Sequence, residues 1–403
     1  MTTPSRDRLP SLTGLRFWAA LFVVVYHLSR QVGVVPGISE AAWYGRSGVT
    51  FFFVLSGFVL AWTYQGNMVS TTVFLWRRAA RVWPLHAATT ALSVGVYVLI
   101  GAAVSLKAVA ASLLLVHAWS PEPVVFKGGN PAAWSLSDEA WFYLVFPALL
   151  LLLAARRSRV WLWTAVAVSA GAVLVWLASS QIDDRLLRLW FLDYFPLTRS
   201  LQFVLGVVAG LAVKRGWHPP VSLPWAAALV AGWHLALIPW SNAVPDALWY
   251  SPYTASQFLS APLFTLLVAA AAHADLRGAR TYLGSPWMIR LGHWSFAWYL
   301  VHEIVIRTVL HLMDARPEST TGTAAVWLLV IVSSLALAGL CYQFLEHPAE
   351  RWLRRHGPSP APRPTSLPSG TGRSTPREEA AVPANAAQPP AAAAGATPPL
   401  PPS

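Results

Sequence analysis

Arg16 and His27 stand eleven residues apart in the run LRFWAALFVVVYHL. At about 100° per residue, eleven steps make three turns plus roughly 20°. The two side chains therefore fall on one side of a helix, with a rise of about 16 Å between them. Ionisable groups are costly inside hydrocarbon, so each marks a functional position by default. A guanidinium at one level suits an anion. An imidazole further along titrates near neutral pH and suits a general base. The bland alternative is a snorkelling Arg16 and a His27 that caps the helix end on a backbone carbonyl. The shared face weighs against it.

Four more segments carry candidate chemistry. RRAARVWPLH holds Arg77, Arg78 and Arg81 in the second connection, where clustered guanidinium groups clamp phosphates bidentately. The same charges also serve as topology signals. GVTFFFVLSGFVLAW places Gly48, Ser56 and Gly57 in an aromatic helix, which suits close helix packing, with Ser56 lining a site as the lesser reading. In WSLSDEAWFYLVFP, Ser135 and Asp138 fit a helix-start cap. Glu139 follows, at the membrane level expected for His27. A carboxylate on one nitrogen of that imidazole would fix its tautomer and raise its basicity, provided the helices are adjacent. LGHWSFAWYLVHE puts His302 eleven residues beyond Leu291, also in the outer half. In YQFLEHPAERW, a Glu346–Arg351 or Glu350–Arg354 pair fits a helix end.

These residues need a scaffold, and the composition says which kind. The chain has 403 residues, 55% hydrophobic and only 11% charged, against about 25% charged in soluble domains. Lipid must be the solvent. The net charge of +12 comes from short basic clusters between apolar runs, which argues for cytoplasmic loops and against nucleic acid. Cys341 is the one cysteine, so no internal disulfide forms, and the eleven histidines show no zinc spacing. The basic start before Phe17–Leu28 raises a signal peptide, but the many later spans favour an uncleaved helix.

A span needs roughly 20 apolar residues. Ten are expected: 12–30, 48–65, 84–104, 140–155, 160–179, 197–213, 223–241, 256–273, 290–311 and 323–346. The fold class is all-α and polytopic. Taking the N-terminal side as cytoplasmic puts sixteen Lys and Arg in the connections of that side and seven opposite, namely Arg30, Arg46, Lys107, Lys127, Arg185, Arg188 and Arg316. The bias expects both termini in the cytoplasm. Residues 108–119 are apolar but too short to span, so a re-entrant or interfacial helix is expected. From Gly357, thirteen of 32 prolines crowd into an Ala/Ser/Thr-rich stretch. Residues 1–356 are thus expected to form the membrane domain and 357–403 a disordered cytoplasmic tail. No internal repeat is evident.

Taken together these segments resemble the acyltransferase-3 family of membrane O-acyltransferases, over about residues 10–350. Arg16 and His27 match its Arg-x10-His element. Gly48, Phe52, Phe53, Ser56, Gly57 and Phe58 match its Gly-x-x-x-Phe-Phe-x-x-Ser-Gly-Phe stretch. Arg77, Arg78, Arg81 and Pro84 match its basic patch. Trp134, Ser135, Leu136, Glu139, Phe142 and Tyr143 match its Trp-Ser-Leu-x-x-Glu-x-x-Phe-Tyr stretch. Tyr299, Leu300, His302, Glu346 and Pro348 match the late Tyr-Leu-x-His and Glu-x-Pro elements. The tail is not a family feature, and no extracytoplasmic catalytic domain is fused, which leaves room for a separate partner.

The resemblance implies acyl transfer from a cytoplasmic acyl-CoA, acetyl-CoA foremost, to a carbohydrate hydroxyl at the cell membrane. The acceptor is a cell-envelope polysaccharide or a glycosylated natural product. Acyl-CoA is then a co-substrate, with no permanently bound cofactor and no metal. Arg16, Arg77, Arg78 and Arg81 are expected at the acyl-CoA phosphates. His27 is the expected base, or an acyl-His nucleophile, and Glu139 orients it. Ser56, Trp134, Ser135, Tyr143 and His302 are expected to line the site. The rival class is a transporter or flippase for a glycoconjugate. It is disfavoured by the lack of repeats and of paired Gly/Pro-interrupted spans. A scaffold needs no buried imidazole.

Overall fold

The computed structural model describes residues 8–156, 158–246, 248–313 and 315–358. The expected tail, from Gly357, lies outside these but for its first two residues, as do Arg6 and Arg157 of the basic count.

Ten long helices order the chain: α1 (Pro10–Gln31), α2 (Gly48–Tyr64), α3 (Thr71–Leu99), α4 (Trp134–Ala154), α5 (Ser158–Ala178), α6 (Pro196–Lys214), α7 (Leu223–Ala243), α8 (Pro252–Leu276), α9 (Pro286–Leu312) and α10 (Thr320–Cys341). The described residues contain no strand. Among them, nine helical segments are long and apolar enough to cross a membrane. α9 is 27 residues long and is not among the nine, because His293, His302 and Glu303 with its Trp and Tyr residues keep it less apolar. The protein is a multi-pass membrane protein.

Local signals set many helix starts. Proline stands in the first turn of α1, α6, α7, α8 and α9, where its missing N–H is no loss. Ser70, Ser251, Ser285 and Ser319 each accept a backbone N–H at the start of α3, α8, α9 and α10.

Glycines draw helices into backbone contact. A Cβ on Gly292 would lie 1.9 Å from the Thr13 carbonyl, and one on Gly14 would lie 2.1 Å from the Leu283 carbonyl. This seam binds α1 to α9 and its leading turn. A second seam joins α2 and α6, where Cβ atoms on Gly57 and Gly206 would fall 2.1 and 1.9 Å from the carbonyls of Phe203 and Val54. Such small-residue contacts drive helix association in lipid, where apolar side chains gain nothing by burial. At the periphery α5, α7 and α10 expose Leu162, Trp163, Leu235, Leu328 and Leu329.

The boundary of the third span departs from expectation. The third span, expected at 84–104, starts at Thr71, so Arg77, Arg78 and Arg81 ride on helix α3 and not in a connection. The Ser70 cap starts the helix early and Pro84 is carried inside it. Residues 106–119 form a short helix, Leu106–Leu113, then a break and a 3₁₀ turn at His117–Trp119. This agrees with a segment too short to span. Beyond α10 a π-turn, Tyr342–Glu346, leads into a helix, His347–His356, that docks on α3 through Trp76 Nε1 and the Leu353 carbonyl at 2.8 Å.

Candidate active site

A cavity of about 360 Å³ opens between α1, α2, α3, α4 and α9, on the side where α1 begins and α2 ends. Arg16, Ser56, Arg78, Arg81, Glu139 and Tyr143 line it, and Ser135 and Tyr299 close its inner end. Its cations are not equivalent. Arg81 pairs with Glu346 and lies 3.1 Å from Glu350. Glu350 is also bridged by Arg354, so of the two helix-end pairs expected there only Glu350–Arg354 forms, and Glu346 turns to Arg81. Arg78 makes no ion pair among the described residues, and its Nε is buried without a partner, as is Arg16 Nε. Arg16 and Arg78 are thus the guanidinium groups with donors to spare. Arg77, one residue around the helix from Arg78, is absent from the cavity wall.

His27 lies beyond the inner end of this cavity, and its partners come from α9. His302 donates Nδ1–H to the Tyr299 carbonyl at 2.7 Å. Its Nε2 therefore presents a lone pair, which accepts the Nδ1–H of His27 at 2.9 Å. That fixes the His27 tautomer and leaves His27 Nε2 as the basic nitrogen. Glu303 Oε1 sits 3.4 Å from that nitrogen. The carboxylate is held by Gln31 at 2.9 Å and by Arg307 at 3.6 Å. When His27 Nε2 takes up a proton, the imidazolium finds Glu303 already in place. His302 is fully buried, while the His27 side chain remains 25% exposed and accessible to a reacting group.

Three donor atoms from His27, His302 and Glu303 lie within 4.8 Å of one another and could hold a metal ion. The proton shared between the two imidazoles accounts for the same geometry without one.

The expected pairing of Glu139 with His27 does not form. Glu139 stands in the cavity instead, accepting the Tyr143 hydroxyl at 2.9 Å and facing Arg16, Arg78 and Arg81. The reason lies in the packing: the glycine seam lays α9 along α1, so α9 supplies the carboxylate at the imidazole, while α4 stands across the cavity. Nor do Arg16 and His27 open onto one uninterrupted groove. The Tyr299 ring stands 5.9 Å from that of His302, and its hydroxyl is 3.0 Å from Ser135 Oγ, at the inner end of the cavity. Ser135 is thus bonded to Tyr299 and caps no helix. Asp138 is fully buried in the body of α4 and likewise caps nothing.

Of the expected lining residues, Ser56, Ser135 and Tyr143 reach the cavity and His302 reaches His27. Trp134 does not line it; it packs on Tyr194 at 4.6 Å and Phe53 at 6.3 Å. Sequence reasoning passed over Glu303, although an acid directly after His302 inside a span is a signal by the same rule that picked out His27. Tyr299 and Gln31 carried no such signal.

The acyltransferase-3 family profile, described as an acyltransferase domain, matches residues 9–343. Among curated relatives, acyltransferase MdmB of Streptomyces mycarofaciens is 36% identical over 90% of this chain and 97% of its own. Exopolysaccharide production protein ExoZ of Rhizobium meliloti (strain 1021) is 27% identical over 76% and 90%. Nodulation protein 10 of Rhizobium leguminosarum bv. viciae is 24% identical over 76% and 82%. No solved structure matches the chain significantly. A profile that runs from the start of α1 past the end of α10, over a bundle with an imidazole–carboxylate pair between α1 and α9, places this chain in the acyltransferase-3 family of membrane-embedded O-acyltransferases.

Proposed function

We propose that the protein transfers an acyl group, acetyl foremost, from acyl-CoA to a carbohydrate hydroxyl at the cytoplasmic membrane, with both termini in the cytoplasm. One observation carries the reading. The relay Tyr299 carbonyl–His302–His27 ends on Glu303, directly behind a cavity whose spare guanidinium groups suit the phosphates of coenzyme A.

The chemistry balances as follows. His27 Nε2 takes the proton of the acceptor hydroxyl as its oxygen attacks the thioester carbonyl, and Glu303 stabilises the imidazolium. The tetrahedral intermediate collapses with cleavage of the C–S bond. The leaving thiolate takes the proton back from His27, restoring the neutral base. A base so placed is typically worth about 10²–10⁴ in rate. Arg16 and Arg78 hold the donor's anionic end, and Glu139 orients Arg16 and Tyr143 on the cavity wall. The carbohydrate acceptor is supported by the relative named for exopolysaccharide production. Radiolabelled acetyl-CoA offered to the purified protein, with a carbohydrate panel, tests the reading. Label should move to a sugar, and His27→Ala should abolish the transfer at normal expression. Label that stays on CoA with every acceptor would refute it.

A further inference from the structure

Four cations gather around the His27–Glu303 end of the relay, at the opposite end of α1 from the cavity. Arg30 follows His27 by three residues. Arg46 precedes α2, and Arg307 lies one turn after Glu303. Lys127 comes from the loop before α4 and lies within electrostatic reach of Glu303, Arg46, Arg307 and Arg30. Arg46 pairs with Asp193, and Arg307 with Glu303. Arg30 and Lys127 form no ion pair among the described residues. Arg30 lies instead over the Trp43 ring at 4.8 Å and Lys127 near Phe126 at 5.6 Å. The cluster is thus short of negative charge.

It also stands where basic residues are scarce. Arg30, Arg46 and Lys127 are three of the seven cations assigned to the side opposite the basic loops. Topology therefore gives no reason for their convergence. A hollow of about 190 Å³, lined by Tyr97, Lys127 and Gly129, adjoins them, and Arg307 lies over the Tyr97 ring at 5.3 Å.

We propose that this mouth is an anion subsite, and that the acceptor presented to His27 carries a phosphate or carboxylate group held by Lys127 and Arg30. The proposal rests on the acyl-transfer reading in that it takes the occupant to be the acceptor. It narrows the acceptor class to anionic or phosphate-linked glycans. Charge-assisted hydrogen bonds to such a group would position the neighbouring hydroxyl at the quarter-exposed imidazole.

Binding of glucose 1-phosphate and of glucose to the full-length detergent-solubilised protein tests this, by calorimetry on wild type, Lys127→Gln, Arg30→Gln and Arg78→Ala. Glucose 1-phosphate should bind and glucose should not. Binding should weaken at least tenfold in Lys127→Gln and Arg30→Gln, and survive in Arg78→Ala. No binding, or binding lost in Arg78→Ala and kept in Lys127→Gln, would overturn the subsite. Displacement by phosphatidylglycerol in nanodiscs would give the site to a lipid headgroup and overturn the acceptor assignment. Transfer of label from acetyl-CoA to the same carbohydrate panel by the wild type is measured in parallel. Its absence refutes the acyltransferase reading and leaves the binding result to stand by itself.

Discussion

His302 Nε2 accepts a hydrogen bond from His27 Nδ1 at 2.9 Å, joining the first long helix to the ninth across 275 residues of chain. On the proposed mechanism the contact makes His302 a positioning residue, touching the base and not the reacting atoms. His302→Ala should lower kcat by about 10–100-fold while the KM for acyl-CoA stays within twofold, because the base is lost only in part of its orientation. His302→Gln should recover part of that loss, since an amide oxygen can accept the His27 Nδ1–H. Steady-state kinetics on the three proteins decides it, and a KM-dominated effect would remove the role.

Glu303 and Glu139 should separate kinetically. Glu303→Gln removes the counter-charge of the imidazolium and should reduce kcat by about 10²-fold or more. Glu139→Gln changes the wall beside Arg16 and Tyr143 and should act mainly on the KM for acyl-CoA. Equal kcat losses in both variants would contradict the assignment of Glu303 as the partner of His27.

Two of the three arginines of the cavity wall, Arg78 and Arg81, should fail differently. Arg78 has unpaired donors, so Arg78→Ala should raise the KM for acyl-CoA with little change in melting temperature. Arg81 is committed to Glu346, whose side chain is 1% exposed, and to Glu350. Breaking a buried pair from one side costs about 3–5 kcal/mol. Arg81→Ala should therefore lower the melting temperature in detergent by several degrees. Thermal-shift and kinetic measurements on the same preparations test the split.

Zinc should inhibit. His27, His302 and Glu303 offer three donor atoms within 4.8 Å, and an ion bound there would occupy the lone pair the reaction needs. Micromolar Zn²⁺ should suppress transfer, EDTA should restore it, and His302→Ala should blunt the effect. EDTA alone should leave the untreated enzyme unaffected. Loss of activity in EDTA would instead mark a resident metal.

The sequence was most legible where lipid does the selecting. Apolar runs located the long helices, because hydrocarbon admits so little else. The same pressure singled out Arg16, His27 and His302, since buried charge is rare enough to be conspicuous. Partnership was harder to read. Helical spacing places Glu139 at a level but not beside a neighbour, and the neighbour of His27 was decided by Gly14 and Gly292, which bring α9 onto α1. Those glycines look like any others in an apolar run. The start of α3 was obscured because the arginines that resemble a loop sit on its first turns. Arg81 and Glu346 are 265 residues apart, a distance over which no periodicity reports.

The glycine seams also bear on how material crosses the molecule. Carriers expose a central site to each side in turn by rocking one half of the bundle against the other. Here α1 and α9, and likewise α2 and α6, meet carbonyl against Cα with no side chains between them to act as rollers. Rocking would have to tear open two such joints at once. On the proposed reaction the two reactants would then meet at the septum of Tyr299 and Ser135, and only the acyl group would pass between them.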